Sequence, residues 1–421
     1  MSIMIIIAIL VIALYGRKVW AFISLFITHH FFVNSFKKLI LKGRRLFVTP
    51  RICLTKANQI KEFLFMYSPN KGYILVQKIR KHFHGYPLLR VLGLDWTQRR
   101  RFLEPVWYPS KVQDLEYGCM VDCTEITVEL LQLEVGNEPI EISKHVSILT
   151  SHIMARIEFG CSYEQGILIV KLLNQYKQII SAQSTWHSYI YRRRELKVIE
   201  NQVERILLEI IQPRVDHVTI GRISSHGNDL LGKFLDEMHK KFGFINMKLI
   251  VDQCKKSLFV GDEPTTHLIT STLTLLSRNP YWQDLVRAEI NERCHGHPPT
   301  AHQLRMHGLL NMAIKESLRL YPPVAIIERM VCEDIRLRDG LVIEKGVAVC
   351  IPVKTIHLSE EIWGEDVHEF NPLRFADDAC AEPRKHFLPF STGTQNCPAQ
   401  YFALMKAKII LALFLSRFRF I

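Results

Sequence analysis

Cys-x-x-Cys pairs and a close disulfide-like framework are missing from this chain. Its ten cysteines stand at positions 53, 119, 123, 161, 254, 294, 332, 350, 380 and 397. That excludes a disulfide-built secreted scaffold and points to a reducing compartment for the main domain. Zinc finds no standard spacing either, and Cys294-His295 with His297, His302 and His307 reads as a run of solvated loop histidines. Acidic residues are in short supply, 41 against 54 Lys and Arg, leaving a formal charge of +13. No aromatic-interleaved basic module accompanies that excess, so a membrane surface or an acidic protein fits it and nucleic acid does not. Internal repeats are absent as well, which excludes solenoids.

Uninterrupted apolar runs are scarce even at the N-terminus. Ile3 to Tyr15 is apolar, and after Arg17-Lys18 the pattern resumes from Val19 to Val33. Neither piece alone reaches the ~20 residues of a spanning helix. No basic stretch precedes them and no Ala-x-Ala site follows, which argues against a cleaved leader. Lys37, Lys38, Lys42, Arg44 and Arg45 come next, and such charge stays on the cytosolic side. Residues 1–33 are therefore expected to anchor the chain in a membrane, with 34–421 as one cytosolic domain.

What is present is an ordinary globular composition, 48% hydrophobic and 23% charged, with a mainly helical period. Helices are expected at 55–65, from about 95, and at 116–135, 142–160, 195–211, 228–238, 281–293, 309–320 and 398–416. A short strand is expected at 46–48. Asn246 to Leu276 reads as one long helix through the core, stopped by Asn279-Pro280. From Ile335 to Pro352 the period drops to two, as in hairpin strands. The expected fold class is mainly α with a small β region.

Four groups of residues carry chemistry. Phe390-Ser-Thr-Gly393-Thr-Gln395-Asn-Cys397-Pro-Ala399-Gln400 puts one cysteine on a glycine-containing loop at the mouth of an apolar helix. Backbone N–H groups and the helix dipole favour a thiolate there, and a thiolate is one of the few protein ligands for haem iron. An inert buried cysteine is the commoner fate of such a residue, but its context here favours the ligand. Glu316 and Arg319 share a helix face, and Arg374 follows in Asn371-Pro-Leu373-Arg374-Phe375. Trp96 and Arg100 form a Trp-x3-Arg pattern, and Arg329 lies ten residues past Arg319. The long helix carries Gly261-Asp262-Glu263-Pro264-Thr265-Thr266.

Together these residues resemble the cytochrome P-450 superfamily of haem-thiolate monooxygenases. The resemblance implies the cytochrome P-450 fold and a haem b with Cys397 as axial ligand. Phe390 would pack on the ligand loop and Gly393 would permit its turn. Trp96, Arg100 and Arg329 would face the haem propionates, as would Gln395, which stands where the family has Arg or His. Glu316, Arg319 and Arg374 would form a buried structural triad, with Leu373 in place of the usual acid. Gly261 would leave room over the iron, and Glu263 with a threonine would relay protons. The expected threonine position is Pro264, so Thr265 is read as taking that part by a local shift of register.

Longer phrases are similar to plant cytokinin hydroxylases. They are Glu158-Phe-Gly160-Cys-Ser-Tyr-Glu-Gln-Gly166, Glu209-Ile-Ile-Gln-Pro-Arg214, His226-Gly-Asn-Asp229-Leu-Leu231, Ile356-His357 through Asp366, and Ala407 through Ala412. This similarity implies hydroxylation of the isopentenyl side chain of adenine-type cytokinins. Electrons would come from NADPH through NADPH–cytochrome P-450 reductase, at the endoplasmic reticulum membrane with the catalytic domain cytosolic. Residues 34–50 depart from the family pattern, and the chain stops 24 residues past Cys397, before expected C-terminal strands. A shortened, diverged copy is the reading. Two others stay open beside the hydroxylase: an impaired or inactive relic, and a monooxygenase for another small hydrophobic plant metabolite.

Overall fold

Apolar residues recur every three or four positions along most of this chain, and the long helices they form bury those stripes against one another. The structure, a computed structural model, describes residues 50–66, 72–74, 96–97, 100–101, 104–107, 114–136, 139–181, 186–306, 308–376 and 381–421. The expected anchor, its basic flank and the strand at 46–48 lie outside these residues. Among the described residues no helix is long and apolar enough to cross a membrane.

The main helices are α1 (Ala57–Met66), α2 (Asp114–Glu134), α3 (Ile142–Phe159), α4 (Tyr163–Ser181), α5 (Trp186–Thr219), α6 (Leu230–Phe242), α7 (Met247–Gly261), α8 (Glu263–Arg278), α9 (Pro280–Cys294), α10 (Gly308–Leu320) and α11 (Gln400–Arg417). α3 is central: Val146, Leu149, Ile153, Met154 and Ile157 are buried, and it packs on α2, α4, α6, α7 and α8. α11 is apolar on nearly every face and is enclosed by α2, α8 and α9. α4 was not expected from the sequence, although Ile169, Val170, Leu173 and Tyr176 give it a buried stripe.

Three of the phrases singled out above meet at one polar junction. Arg214 on α5 donates to Asp229 Oδ1 at 2.6 Å and to the Phe159 carbonyl at 2.8 Å. Asp229 also caps α6, accepting the Gly232 N–H at 2.8 Å. Gly160, at φ 53, leaves the room this needs, since a Cβ there would lie 2.6 Å from Asp229 Oδ2.

The expected helix over 246–276 is interrupted. α7 ends at Gly261, and α8 begins at Glu263 with Pro264 in its first turn. In that position the missing proline N–H would have lacked an intrahelical partner anyway, so the interior penalty of about 3 kcal/mol does not apply. Thr265 and Thr266 N–H groups bond the Asp262 carbonyl at 3.2 and 3.1 Å, which starts the new helix.

The β region is small. β1 (Arg51–Cys53), β2 (Gly72–Ile74), β3 (Ile327–Val331) and β6 (Ala348–Ile351) form a sheet in the order β1-β6-β3-β2, with β1 and β6 parallel and the other pairs antiparallel. β4 (Ile335–Arg336) and β5 (Val342–Ile343) form the expected hairpin.

Glu316, Arg319 and Arg374 meet between α10 and the irregular stretch after β6. Glu316 and Arg319 are fully buried. Their pairing is bidentate, at 2.8 and 2.7 Å, and Arg374 Nε lies 3.4 Å from Glu316 Oε1. The remaining donors hold backbone: Arg319 reaches the His357 and Val367 carbonyls at 3.0 and 2.7 Å, and Arg374 reaches Trp363 and Asp366 at 2.8 and 2.6 Å. Glu316→Ala strands the fully buried Arg319 guanidinium, leaving Arg374 its 2.5 Å pair with Asp366, and is expected to lower unfolding free energy by about 3–5 kcal/mol, measured as a shift in the denaturant midpoint. Arg336→Ala, at an exposed position on β4, should stay within about 0.5 kcal/mol of the parent. Equal midpoints for the two variants would refute a stabilising triad.

Candidate functional site

The residues from Phe390 to Cys397 form a loop closed by its own backbone. The Cys397 N–H donates to the Phe390 carbonyl at 2.9 Å, and the Asn396 N–H to Gly393 at 3.4 Å. Ser391 and Gly393 take φ values of 62 and 76, a region open to glycine and strained for serine. Gly393 has a second reason to lack a side chain, because a Cβ would overlap the Leu64 carbonyl near the end of α1. Phe390 packs partly buried against the main core.

Two buried guanidinium groups from distant parts of the chain converge on this loop. Arg100 donates to the Asn396 carbonyl at 2.9 Å and to Asn396 Oδ1 at 2.8 Å, while its Nε and Nη2 also donate to Glu104. Its guanidinium carbon stands 5.8 Å over the buried Trp96 ring. Arg329, 3% exposed on β3, contacts the Gln395 carbonyl at 3.5 Å. Gln395 is buried, and its Oε1 has no hydrogen-bond partner among the described residues. Trp96, Arg100, Arg329, Gln395 and Cys397 are thus brought together.

Burial pushes the Cys397 thiol up; the Ala399 N–H and the charges of Arg100 and Lys256 pull the other way. On its own the thiol stays protonated, whereas a bound metal cation would remove that proton. The donor set suits a haem: a sulfur for iron, two buried cations for carboxylates, and an orphaned amide that a further polar group would satisfy.

The break between α7 and α8 carries a second polar cluster. Asp262 is buried and accepts from Ser151 Oγ at 2.7 Å. Lys406 on α11, 0% exposed, donates to the Gly261 carbonyl at 3.4 Å. Thr265 is buried and donates to the same carbonyl at 3.4 Å, and Thr266 shares a hydrogen with Thr150 at 2.6 Å. Glu263 lies apart from these groups, 75% exposed and 3.5 Å from Lys177. The space at Gly261 faces α3, because a Cβ there would be 3.3 Å from Met154 Cε. Glu263 and Thr265 are therefore on different sides of the first turn of α8.

Sequence reasoning missed Lys256, Asp262 and Lys406. Lys406 carried a readable signal, being with Lys408 one of two charges in the otherwise apolar run from Phe402 to Leu415. Lys256 and Asp262 stood inside a segment read as one continuous helix, and nothing local marked which way they face.

Comparison with known proteins agrees with these features. The family described as Cytochrome P450 matches residues 30–421. A cytokinin hydroxylase of Arabidopsis thaliana is 42% identical over 381 residues, covering 88% of this chain and 73% of that protein. A second cytokinin hydroxylase of Arabidopsis thaliana is 40% identical over 398 residues, covering 90% and 76%. Secologanin synthase 1 of Catharanthus roseus is 30% identical, covering 88% and 74%.

Burial draws Lys406 down from 10.5 to about 8, with Asp262 opposing. Between those values the unfolded chain binds the proton and the folded one does not, so stability rises as pH rises from about 8 to 10.5. The gain from this one group is about 3 kcal/mol. Unfolding titrations of the parent and Lys406→Met should differ by that rise in this window; parallel curves would show that Lys406 is not buried as a cation.

Proposed function

Because the chain belongs to the cytochrome P450 family, we propose that this monooxygenase hydroxylates the isopentenyl side chain of adenine-type cytokinins. Electrons come from NADPH through a partner reductase. In this reading residues 1–33 anchor the chain in the endoplasmic reticulum membrane and residues 34–421 form the cytosolic catalytic domain. The convergence of Arg100 and Arg329 on the Cys397 loop supports the cofactor reading most directly. The names of the two Arabidopsis relatives support the substrate.

Bound haem supplies the oxygen chemistry, since thiolate ligation drives electron density toward O–O cleavage. Cys397 is the iron ligand in this reading. Arg100, Arg329 and Gln395 hold the propionates, with Trp96 supporting Arg100, while Phe390 and Gly393 keep the ligand loop in shape. Glu263 stands at the solvent end of proton delivery, 3.5 Å from Lys177. Thr265 stands at the interior end. Its hydroxyl makes only a 3.4 Å contact to the Gly261 carbonyl, so its Oγ1 can turn to donate elsewhere. Pro264 has no hydroxyl for that part. The helix break lets it sit immediately before the first paired amide of α8, that of Thr265.

The excess of positive charge suits an acidic reductase face, which raises encounter rates and makes them salt-dependent. Substrate choice rests on the side chains that line the pocket, whereas four of the phrases similar to cytokinin hydroxylases make scaffold contacts. Three of those phrases make the Arg214–Asp229 junction, and a fourth supplies the carbonyls that the triad holds.

Expression of the full chain with a plant reductase tests the proposal. A red-shifted carbon-monoxide band of the thiolate type and a hydroxylated product from isopentenyladenine nucleotides are expected. Thr265→Ala should cut product formation by about 100-fold or more while leaving that band unchanged, and Pro264→Thr should retain activity. A Thr265→Ala variant with full turnover would remove the residue from the relay. Turnover of a terpenoid with none of the nucleotide would replace the substrate and leave the monooxygenase in place.

A further inference from the structure

Cys53 and Cys350 are separated by most of the chain yet stand directly opposite each other in the sheet. The parallel register of β1 and β6 pairs Arg51 with Ala348, Ile52 with Val349 and Cys53 with Cys350. Residues opposite each other on parallel strands point to the same face. The two thiols share a hydrogen bond, which draws Cys53 down to about 7 and pushes Cys350 up. Cys53 is exposed at the end of β1, an edge strand, and Cys350 is half-buried beside it.

The surroundings of the pair are charged. β3 places Glu328 opposite Cys350, so Cys53, Cys350 and Glu328 form one row across three strands. Arg51 extends over that row to meet Glu328 at 3.2 Å. The guanidinium therefore lies on the face that carries both sulfurs, where a cation favours the thiolate form of an accessible cysteine. Neighbouring strands run roughly 4.8 Å apart, inside the window of about 4.4–6.8 Å that a disulfide needs between Cα atoms.

We propose that Cys53 and Cys350 form a dithiol site that exchanges with small-molecule disulfides and closes into a reversible bond between β1 and β6. Cys53 thiolate attacks one sulfur of the small disulfide. A mixed disulfide forms on Cys53, and one small thiolate leaves and takes up a proton. Cys350 loses its proton and attacks the Cys53 sulfur, forming the cross-strand bond and expelling the second small thiolate, which is protonated in turn. The two protein thiols are oxidised by two electrons, and the small disulfide is reduced to two thiols. β6 also pairs with β3 next to Arg329, through the Arg329–Val349 register, so the bond would staple the sheet edge beside a residue that contacts the Cys397 loop.

The test uses the full-length protein and oxidised glutathione as the probe, followed by alkylation of remaining thiols and peptide mapping by mass spectrometry. The expected product is a Cys53–Cys350 linked peptide that a reductant reverses, with buried Cys254 left alkylatable only after unfolding. Cys350→Ser should arrest the reaction as a stable glutathione adduct on Cys53. Cys53→Ser should slow glutathione incorporation at Cys350 at least tenfold. The proposal is overturned by parent protein that yields no linked peptide, or that links Cys53 to a different cysteine. It is overturned equally by a Cys350→Ser variant that takes up no glutathione at Cys53.

Discussion

One buried carboxylate, Glu316, lies between two guanidinium groups, Arg319 and Arg374, the second of which also meets the Asp366 carboxylate at 2.5 Å. Burying three charges is unfavourable unless the geometry is good and the leftover donors are used. Here they are used: Arg319 and Arg374 spend their other N–H groups on the carbonyls of His357, Trp363, Asp366 and Val367. His357 and Trp363 are the last residues of short helices at 353–357 and 360–363, where carbonyls lack an intrahelical partner, and Asp366 and Val367 lie in the turn that follows. The stretch they fix runs on toward Cys397, so the position of the thiol loop depends on an ion cluster that takes no part in the chemistry. His357 extends the same support, since its Nε2 accepts the Leu388 N–H at 2.9 Å two residues before the loop. Burial holds that imidazole down to about 4, which keeps it neutral and able to accept.

The break between α7 and α8 answers a different constraint. A helix that crosses a core needs its backbone groups paired, yet Gly261 and Pro264 loosen that pairing within one turn. The Gly261 carbonyl is instead shared between Lys406 and Thr265, and the Asp262 carbonyl starts α8. Lys406 also brings a positive charge to the C-terminal end of α7, where the helix dipole favours it. Proline, glycine and a buried lysine thus fit together as parts of one interruption, although each alone would count against a buried helix.

Much of the fold was legible because periodicity reports burial. The expected helices at 142–160, 281–293 and 309–320 match those observed to within a residue or two, as amphipathic stripes with strong stops should. α4 escaped notice since its start runs straight on from the Gly160 turn with only a short 3-10 segment between. The interruption at Asp262 was hidden by uniform hydrophobicity on both sides. At the candidate site, the cysteine loop was legible in its own residues, and the arginines that meet it through the family resemblance rather than through their spacing alone. The outward direction of Glu263 was not, because a single break rotates everything beyond it. The cross-strand cysteines were illegible for another reason: strand register joins residues nearly three hundred positions apart, and no local pattern encodes it.

Similarity between sequences measures different things in different places. Gly160, Arg214, Asp229 and His357 are held by steric and hydrogen-bond demands of the scaffold. Any chain keeping this architecture faces those demands whatever it oxidises. Agreement at such positions therefore speaks strongly for the fold and for a thiolate-ligated cofactor, both of which depend on the scaffold. It speaks more weakly for the substrate, which meets other side chains. The weight behind the adenine-type substrate comes from overall identity to two relatives, which does not single out the side chains that would meet a substrate. Direct turnover is for this reason a sharper discriminator than any further comparison of scaffold residues.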